Sequence, residues 1–229
     1  MAAIRATFTT RDGGISVGPF AARNLASHVG DDPDAVAANR RGLTVEMHAT
    51  RTVFMRQVHG SDVAVVDARS PGDVADVDAL VTDVPGVALS VLVADCVPVV
   101  IAGSRAAAVV HAGRRGVQQG IVTAAIAALR ELDDGPLRAR LGPSVCGGCY
   151  EVPAAMQEEV AALVPAARAT TRAGTSGLDL PAGVTAQLRA AGVTAVHASE
   201  TCTVEDPSYF SYRRDGVTGR FAGVVMIES

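Results

Sequence analysis

Val87-Ala88-Leu89-Ser90-Val91-Leu92-Val93-Ala94-Asp95-Cys96-Val97-Pro98-Val99-Val100-Ile101-Ala102 reads as two apolar runs broken at Asp95-Cys96. After Gly103-Ser104-Arg105 a third run follows, Ala106-Ala107-Ala108-Val109-Val110, ending in His111. Short Val-rich runs bounded by turn residues are strand signals, and runs apolar at nearly every position fit strands covered on both faces. The stretch therefore predicts strands at 87–93, 97–102 and 106–110. Further strands are expected at 4–9, 52–58, 63–66 and 221–227. Helices are expected where Asp32-Pro33 supplies an N-cap and a proline at the first helical position, running to about Leu43, and again at 153–164. Val117, Ile121, Ala125 and Leu129 recur every four residues behind the Gly113–Gly116 turn, and Asp179 caps a helix carrying Leu180, Val184 and Leu188. Strands outnumber helices and do not alternate with them regularly. A mixed-sheet α+β domain fits better than a Rossmann arrangement, and with no repeat or linker in sight residues 1–229 are expected to form one domain.

Composition narrows the function. Hydrophobic residues make up 48% of the 229, and mean hydropathy is +0.26, so the chain has ample material for a core. No apolar run reaches the roughly 18 residues of a membrane span. The first ten residues lack a secretory h-region, and a cytoplasmic protein is expected. All 20 basic residues are Arg, which excludes Schiff-base lysine chemistry and a Walker-type phosphate loop. A net charge of −4 and 3% aromatic content argue against nucleic acid as a partner.

His59, Cys96 and His111 each stand where an apolar run ends in a turn. Two imidazoles and a thiolate are good zinc ligands, and three protein ligands leave a fourth position open. If neighbouring strands run parallel, Cys96 and His111 emerge on one sheet edge. The plainer alternative keeps the two His as polar strand ends and Cys96 as a core residue. Arg114 and Arg115 precede a helix and suit an anion, or else form a solvated basic turn. Cys146-Gly147-Gly148-Cys149 is a lone C-x-x-C. A structural zinc site wants a second pair, and two central glycines do not suit a thioredoxin-like helix, so a flexible loop lining the pocket is expected. His28, His48 and His197 have no such context. Ser208-Tyr209-Phe210-Ser211-Tyr212-Arg213-Arg214 suits either a planar, partly polar ligand or a hydrophobic plug.

Taken together, these motifs resemble one family, the laccase-domain or polyphenol-oxidase family. The likeness runs through Pro19-Phe20, Asn24-Leu25, Asp31-Asp32-Pro33, Asn39-Arg40, Gln57-Val58-His59-Gly60 and Asp78-Ala79-Leu80-Val81-Thr82. It continues through Ala94-Asp95-Cys96-Val97-Pro98, His111-Ala112-Gly113, Arg115-Gly116, Gly142-Pro143-Ser144, Tyr150-Glu151-Val152, Phe210 to Asp215 and Thr218-Gly219-Arg220. The resemblance implies a single α+β domain, a mixed β-sandwich flanked by helices, with zinc held by His59, Cys96 and His111. It also implies phosphorolysis of purine nucleosides (adenosine, inosine, guanosine, methylthioadenosine) and deamination of adenosine. One departure is Arg114, where the family usually has Trp.

On this reading the partners are a purine nucleoside and phosphate, with no nucleic acid and no membrane. Cys96 and His111 take part in catalysis, and Asp95, adjoining a ligand, shuttles protons. Arg56 and Arg115 face phosphate, and Asn24 holds a ribose hydroxyl. Copper in the same site, oxidising phenols, is one alternative, although five His are too few for a trinuclear cluster. A hydrolase with Cys96 as a nucleophile activated by His111 is another, and a binding role without turnover is a third.

Overall fold

In the computed structural model, which describes residues 3–228, the chain opens with β1 (Ile4–Phe8), α1 (Pro33–Glu46), β2 (Arg51–Met55), β3 (Val63–Val65), β4 (Asp73–Val74) and β5 (Ala79–Thr82). The central run forms β6 (Val87–Val93), β7 (Val97–Ala102) and β8 (Ala107–Ala112), followed by α2 (Arg114–Gln119) and α3 (Ile121–Leu132). Then come β9 (Arg138–Leu141), α4 (Ala154–Leu163), β10 (Arg168–Thr170), β11 (Ser176–Leu178) and α5 (Leu180–Ala190). The chain closes with β12 (Ala195–Ala198), α6 (Tyr212–Asp215) and β13 (Phe221–Ile227).

Two mixed sheets stack face to face. One has the order β1-β13-β6-β2-β4, the other β12-β9-β7-β8-β5-β3, and β10-β11 is a separate hairpin. Alternation along each strand decides which layer a residue fills. Leu89, Val91 and Val225 from the first sheet meet Leu80, Val100 and Val109 from the second in the seam between them. Ala88, Leu92, Val224 and Met226 point the other way, onto Leu43 of α1 and Met47 just beyond its end. The far side of the six-stranded sheet, including Val99, Ile101, Ala108 and Val110, is covered by Val117, Ile121, Leu129, Val160, Val184 and Leu188 from four helices. The layers are thus helix, sheet, sheet, helices, the α+β sandwich that the sequence implies.

Asp32 caps α1 through Asp34 N–H at 3.0 Å, with Pro33 first in the helix, as the sequence reads. Two expectations need correction. The four-residue periodicity of Val117 to Leu129 spans two helices, because Gly120 adopts φ +83° and breaks the chain between α2 and α3. The strands that deliver Cys96 and His111 are not parallel neighbours either: β6 belongs to the five-stranded sheet, and β7 and β8 form an antiparallel pair in the other. In an antiparallel pair the start of one strand lies beside the end of the next, and Val97 pairs with Ala112. Cys96 and His111 therefore meet at one end of the β7–β8 pair.

Candidate active site

Three loci converge on that end. His59 lies in the loop after β2 with φ +60°, and Cys96 sits at the β6–β7 crossing beside Asp95, whose φ is +92°. Such dihedrals are rare outside glycine and mark backbone that its surroundings hold in place. His111 is the penultimate residue of β8 and is buried. Ligand atoms of the three residues all lie within 4.8 Å of one another, with Cys96 Sγ 4.0 Å from His59 Nε2 and the two rings edge to face. A tetrahedral ion with ordinary zinc bond lengths needs a sulfur–nitrogen separation of about 3.6 Å, so Cys96 and His59 stand within about half an ångström of coordination.

A residue that the sequence motifs contain without a role attached to it holds this arrangement. Asp78, fully buried just before β5, receives His111 Nδ1–H at Oδ1 over 2.7 Å. The same carboxylate accepts the N–H groups of Val58, His59 and Gly60 at 3.2, 3.0 and 2.7 Å. Asp78 thus accepts the hydrogen bond from Nδ1 of His111, turning Nε2 toward the site, and pins the loop that carries His59. Burial pushes its carboxyl upward, but His111 and the Gly60 and Val58 N–H groups outweigh burial and hold it below the usual range. The same balance governs the other pair. Burial opposes charge on Cys96, yet His111 draws its thiol down to about 6, and the Cys96 charge and Asp78 raise His111 to about 9 against burial. Close backbone approach completes the cradle: a Cβ on Gly113 would meet His59 Cδ2 at 2.9 Å and Cys96 Sγ at 3.2 Å.

The three residues form one wall of a cavity of about 420 Å³. Gln57 anchors the adjoining wall by pairing its amide with Leu92 N–H and C=O at 2.9 and 2.7 Å, as a neighbouring strand would. The rest divides into cations (Arg114, Arg213, Arg220) and flat or apolar surfaces (Tyr150, Tyr212, Leu180). Arg213 lies 5.0 Å over the Tyr150 ring. His28, set aside in the sequence, lines the cavity too; burial and the charges of Arg220 and Arg40 lower its pKa and keep it neutral.

The residues expected to hold substrate lie elsewhere. Asn24 is fully buried away from the cavity, tying Ala26, Asp31 and the Arg220 N–H together. Arg56 is exposed and paired with Asp76 at 2.6 Å, and Arg115 points outward from α2. Asp95 does line the cavity, but Thr203 Oγ1–H and Arg213 N–H, both at 2.6 Å, occupy its two oxygens. The Tyr209–Arg214 segment serves both readings offered for it: Phe210 is a fully buried plug, while Tyr212 and Arg213 face the cavity.

An α+β sandwich with a buried imidazole, an exposed imidazole and a thiolate converging on one cavity defines a protein with a candidate single-ion metal site. The family described as multi-copper polyphenol oxidoreductase laccase matches residues 5–228, and the chain belongs to that family. Among its relatives are proteins named purine nucleoside phosphorylase. One from Streptomyces coelicolor is 52% identical, over 96% of this chain and 94% of the relative. Another, from Mycobacterium tuberculosis H37Rv, is 50% identical, over 98% and 92%. The crystal structure of YlmD from Geobacillus stearothermophilus superposes with a TM-score of 0.91 at 34% identity, covering 99% of this chain and 92% of that one. No helix among the described residues is long and apolar enough to cross a membrane.

Proposed function

We infer that the protein is a zinc-dependent purine nucleoside phosphorylase acting on adenosine, inosine, guanosine and methylthioadenosine, with adenosine deamination as a second activity of the same site. The observation that carries this reading is the meeting of His59, Cys96 and His111 in a cavity that also presents three guanidiniums and two tyrosine rings. Its support beyond the geometry is the name borne by relatives at about half identity.

The donor set fits zinc, which when bound supplies Lewis acidity and activates water. The protein's own groups divide the remaining work. Arg114, Arg213 and Arg220 neutralise phosphate and bring one of its oxygens to the sugar C1′, where the bond to the purine breaks. Tyr150 and Tyr212 flank the departing base. Asp95, expected as a proton shuttle, suits a positioning role better, since its carboxylate holds the backbone of Arg213.

The test is to incubate the purified protein with inosine or adenosine, with and without phosphate, and to identify the products. Hypoxanthine or adenine together with ribose 1-phosphate, formed only with phosphate and lost in Cys96→Ala, supports the reading. Unchanged activity in Cys96→Ala refutes it. Loss on chelation with recovery on zinc separates it from a Cys96 hydrolase. The family description favours one second reading, copper in the same site oxidising phenols, which metal analysis of protein purified without added copper distinguishes.

A further inference from the structure

On the far side of the Tyr150 wall lies a second cluster of soft donors. β9 and β12 pair in parallel, and their pairing continues past the strand ends as a bridge between Ser144 and Cys202. The two loops leaving the sheet therefore run side by side, with Thr203 N–H donating to Ser144 O at 3.1 Å and Cys146 N–H facing Cys202 Sγ at 3.4 Å. Each loop then makes the same turn. Cys149 and Tyr150 N–H both donate to Cys146 O at 3.0 Å, and Glu205 and Asp206 N–H donate to Cys202 O at 3.1 and 2.9 Å. Cys146-Gly147-Gly148-Cys149 is thus matched by Cys202-Thr203-Val204-Glu205, the second pair at the same spacing that a structural site requires.

The four donor atoms, three thiol sulfurs and a carboxylate oxygen, all lie within 4.8 Å of one another. A tetrahedral zinc–thiolate site needs sulfurs about 3.8 Å apart, so a contraction of an ångström or less suffices. The glycines between the cysteines are held from behind. A Cβ on Gly147 would press on Asp179 and Ala169 at 2.9 and 3.0 Å, and Gly148 C=O accepts Arg172 N–H at 3.0 Å. The segment is a tight turn packed against Asp179, Ala169 and Arg172. Arg172 reaches Cys149 Sγ at 2.8 Å and pairs with Glu205, setting a cation beside the cluster.

We propose that Cys146, Cys149, Cys202 and Glu205 form a second metal site, closed and structural, that takes zinc. All four positions are filled by protein, which leaves no open valence for chemistry. The clamp acts on the cavity from behind. Val145 N–H donates to Asp95 O at 3.0 Å, Thr203 holds the Asp95 carboxylate, and Tyr150 follows Cys149 directly. Zinc at the second site thereby fixes the wall that carries Tyr150 and Arg213.

The test loads wild type, His59→Ala and Cys149→Ser with zinc under a phosphine reductant, removes loose metal and counts zinc per chain. Two ions in wild type and one in each variant are expected. One ion in wild type, lost in Cys149→Ser and kept in His59→Ala, still supports this site while removing the ion from the proposed catalytic one. One ion in wild type that survives in Cys149→Ser overturns the proposal. If Cys149→Ser does not fold, alkylation of His59→Ala followed by peptide mass analysis decides. Zinc should slow modification of Cys146 and Cys149 and a chelator should restore it; equal rates with and without zinc overturn the site.

Discussion

Asp78 is a single side chain on which two loci of the candidate site depend. Its Oδ1 accepts from His111 and His59, and its Oδ2 from Val58 and Gly60. Asparagine is nearly the same shape, yet either orientation of its amide turns an NH2 toward two donors. Asp78→Asn should therefore weaken zinc binding by about 10–100-fold and lower kcat/KM for inosine by a similar factor. A titration against a competing chelator reads the first effect, and unchanged affinity would leave Asp78 as scaffold alone. Gly113→Ala makes the complementary test from the other side of the site. Its added methyl meets His59 and Cys96 rather than the core, so turnover should collapse while the thermal midpoint of the metal-free protein changes little.

Elements are joined by comparable devices. Asp133 ends α3 and reaches back to the β7–β8 turn, accepting Arg105 and Ala106 N–H at 2.6 and 3.1 Å and Gly135 N–H at 2.9 Å. Asp133→Ala strands these donors and should cost about 2 kcal/mol, or roughly 4–8 °C in Tm, with activity retained below the new midpoint. Burial pushes this carboxyl upward, but the Arg105, Gly135 and Ala106 N–H groups outweigh it and depress its pKa. A depressed folded value makes the stabilisation complete above the unfolded value of about 3.9 and lost as pH falls through the folded one. The gap between wild type and Asp133→Ala should accordingly close on acidification below about pH 4, and a gap independent of pH would contradict this. Which elements the sequence shows follows from the same physics. β6, β7 and β13 are apolar on both faces because sheet or helix covers each side, and their bounds are readable. β9 is Arg-Ala-Arg-Leu, alternating exposed and buried over only four residues, and its partner β12 is equally short. Strand ends mark His59, Cys96 and His111 in the sequence, whereas Asp78 acts on backbone and on a ring 33 residues away, which no local pattern records. Arg56 and Arg220 are likewise indistinguishable by residue type; the ion pair with Asp76 removes the first, and the turn before β13 delivers the second.

At the scale of the whole molecule, a chain of net charge −4 keeps three guanidiniums around one cavity. The field at that mouth opposes the average field of the surface, and salt screens it over about 8 Å at physiological ionic strength. The KM for phosphate should rise with ionic strength while that for neutral inosine stays level, and Arg213→Ala should flatten the phosphate curve. Parallel salt dependence for both substrates would remove the cations from phosphate recognition.

The origin of the ligands has a mechanical corollary. His59 follows a strand of the five-stranded sheet, His111 lies within the six-stranded one, and Cys96 sits where the chain passes between them. An ion gripping all three would rivet the two halves of the sandwich, so the proposed metal site would double as a fastener. Stripping it should loosen the whole body, by about 2.7 kcal/mol relative to a hundredfold saturation. The melting shift on chelation should be larger in wild type than in His59→Ala by several degrees, since that variant has already lost the rivet.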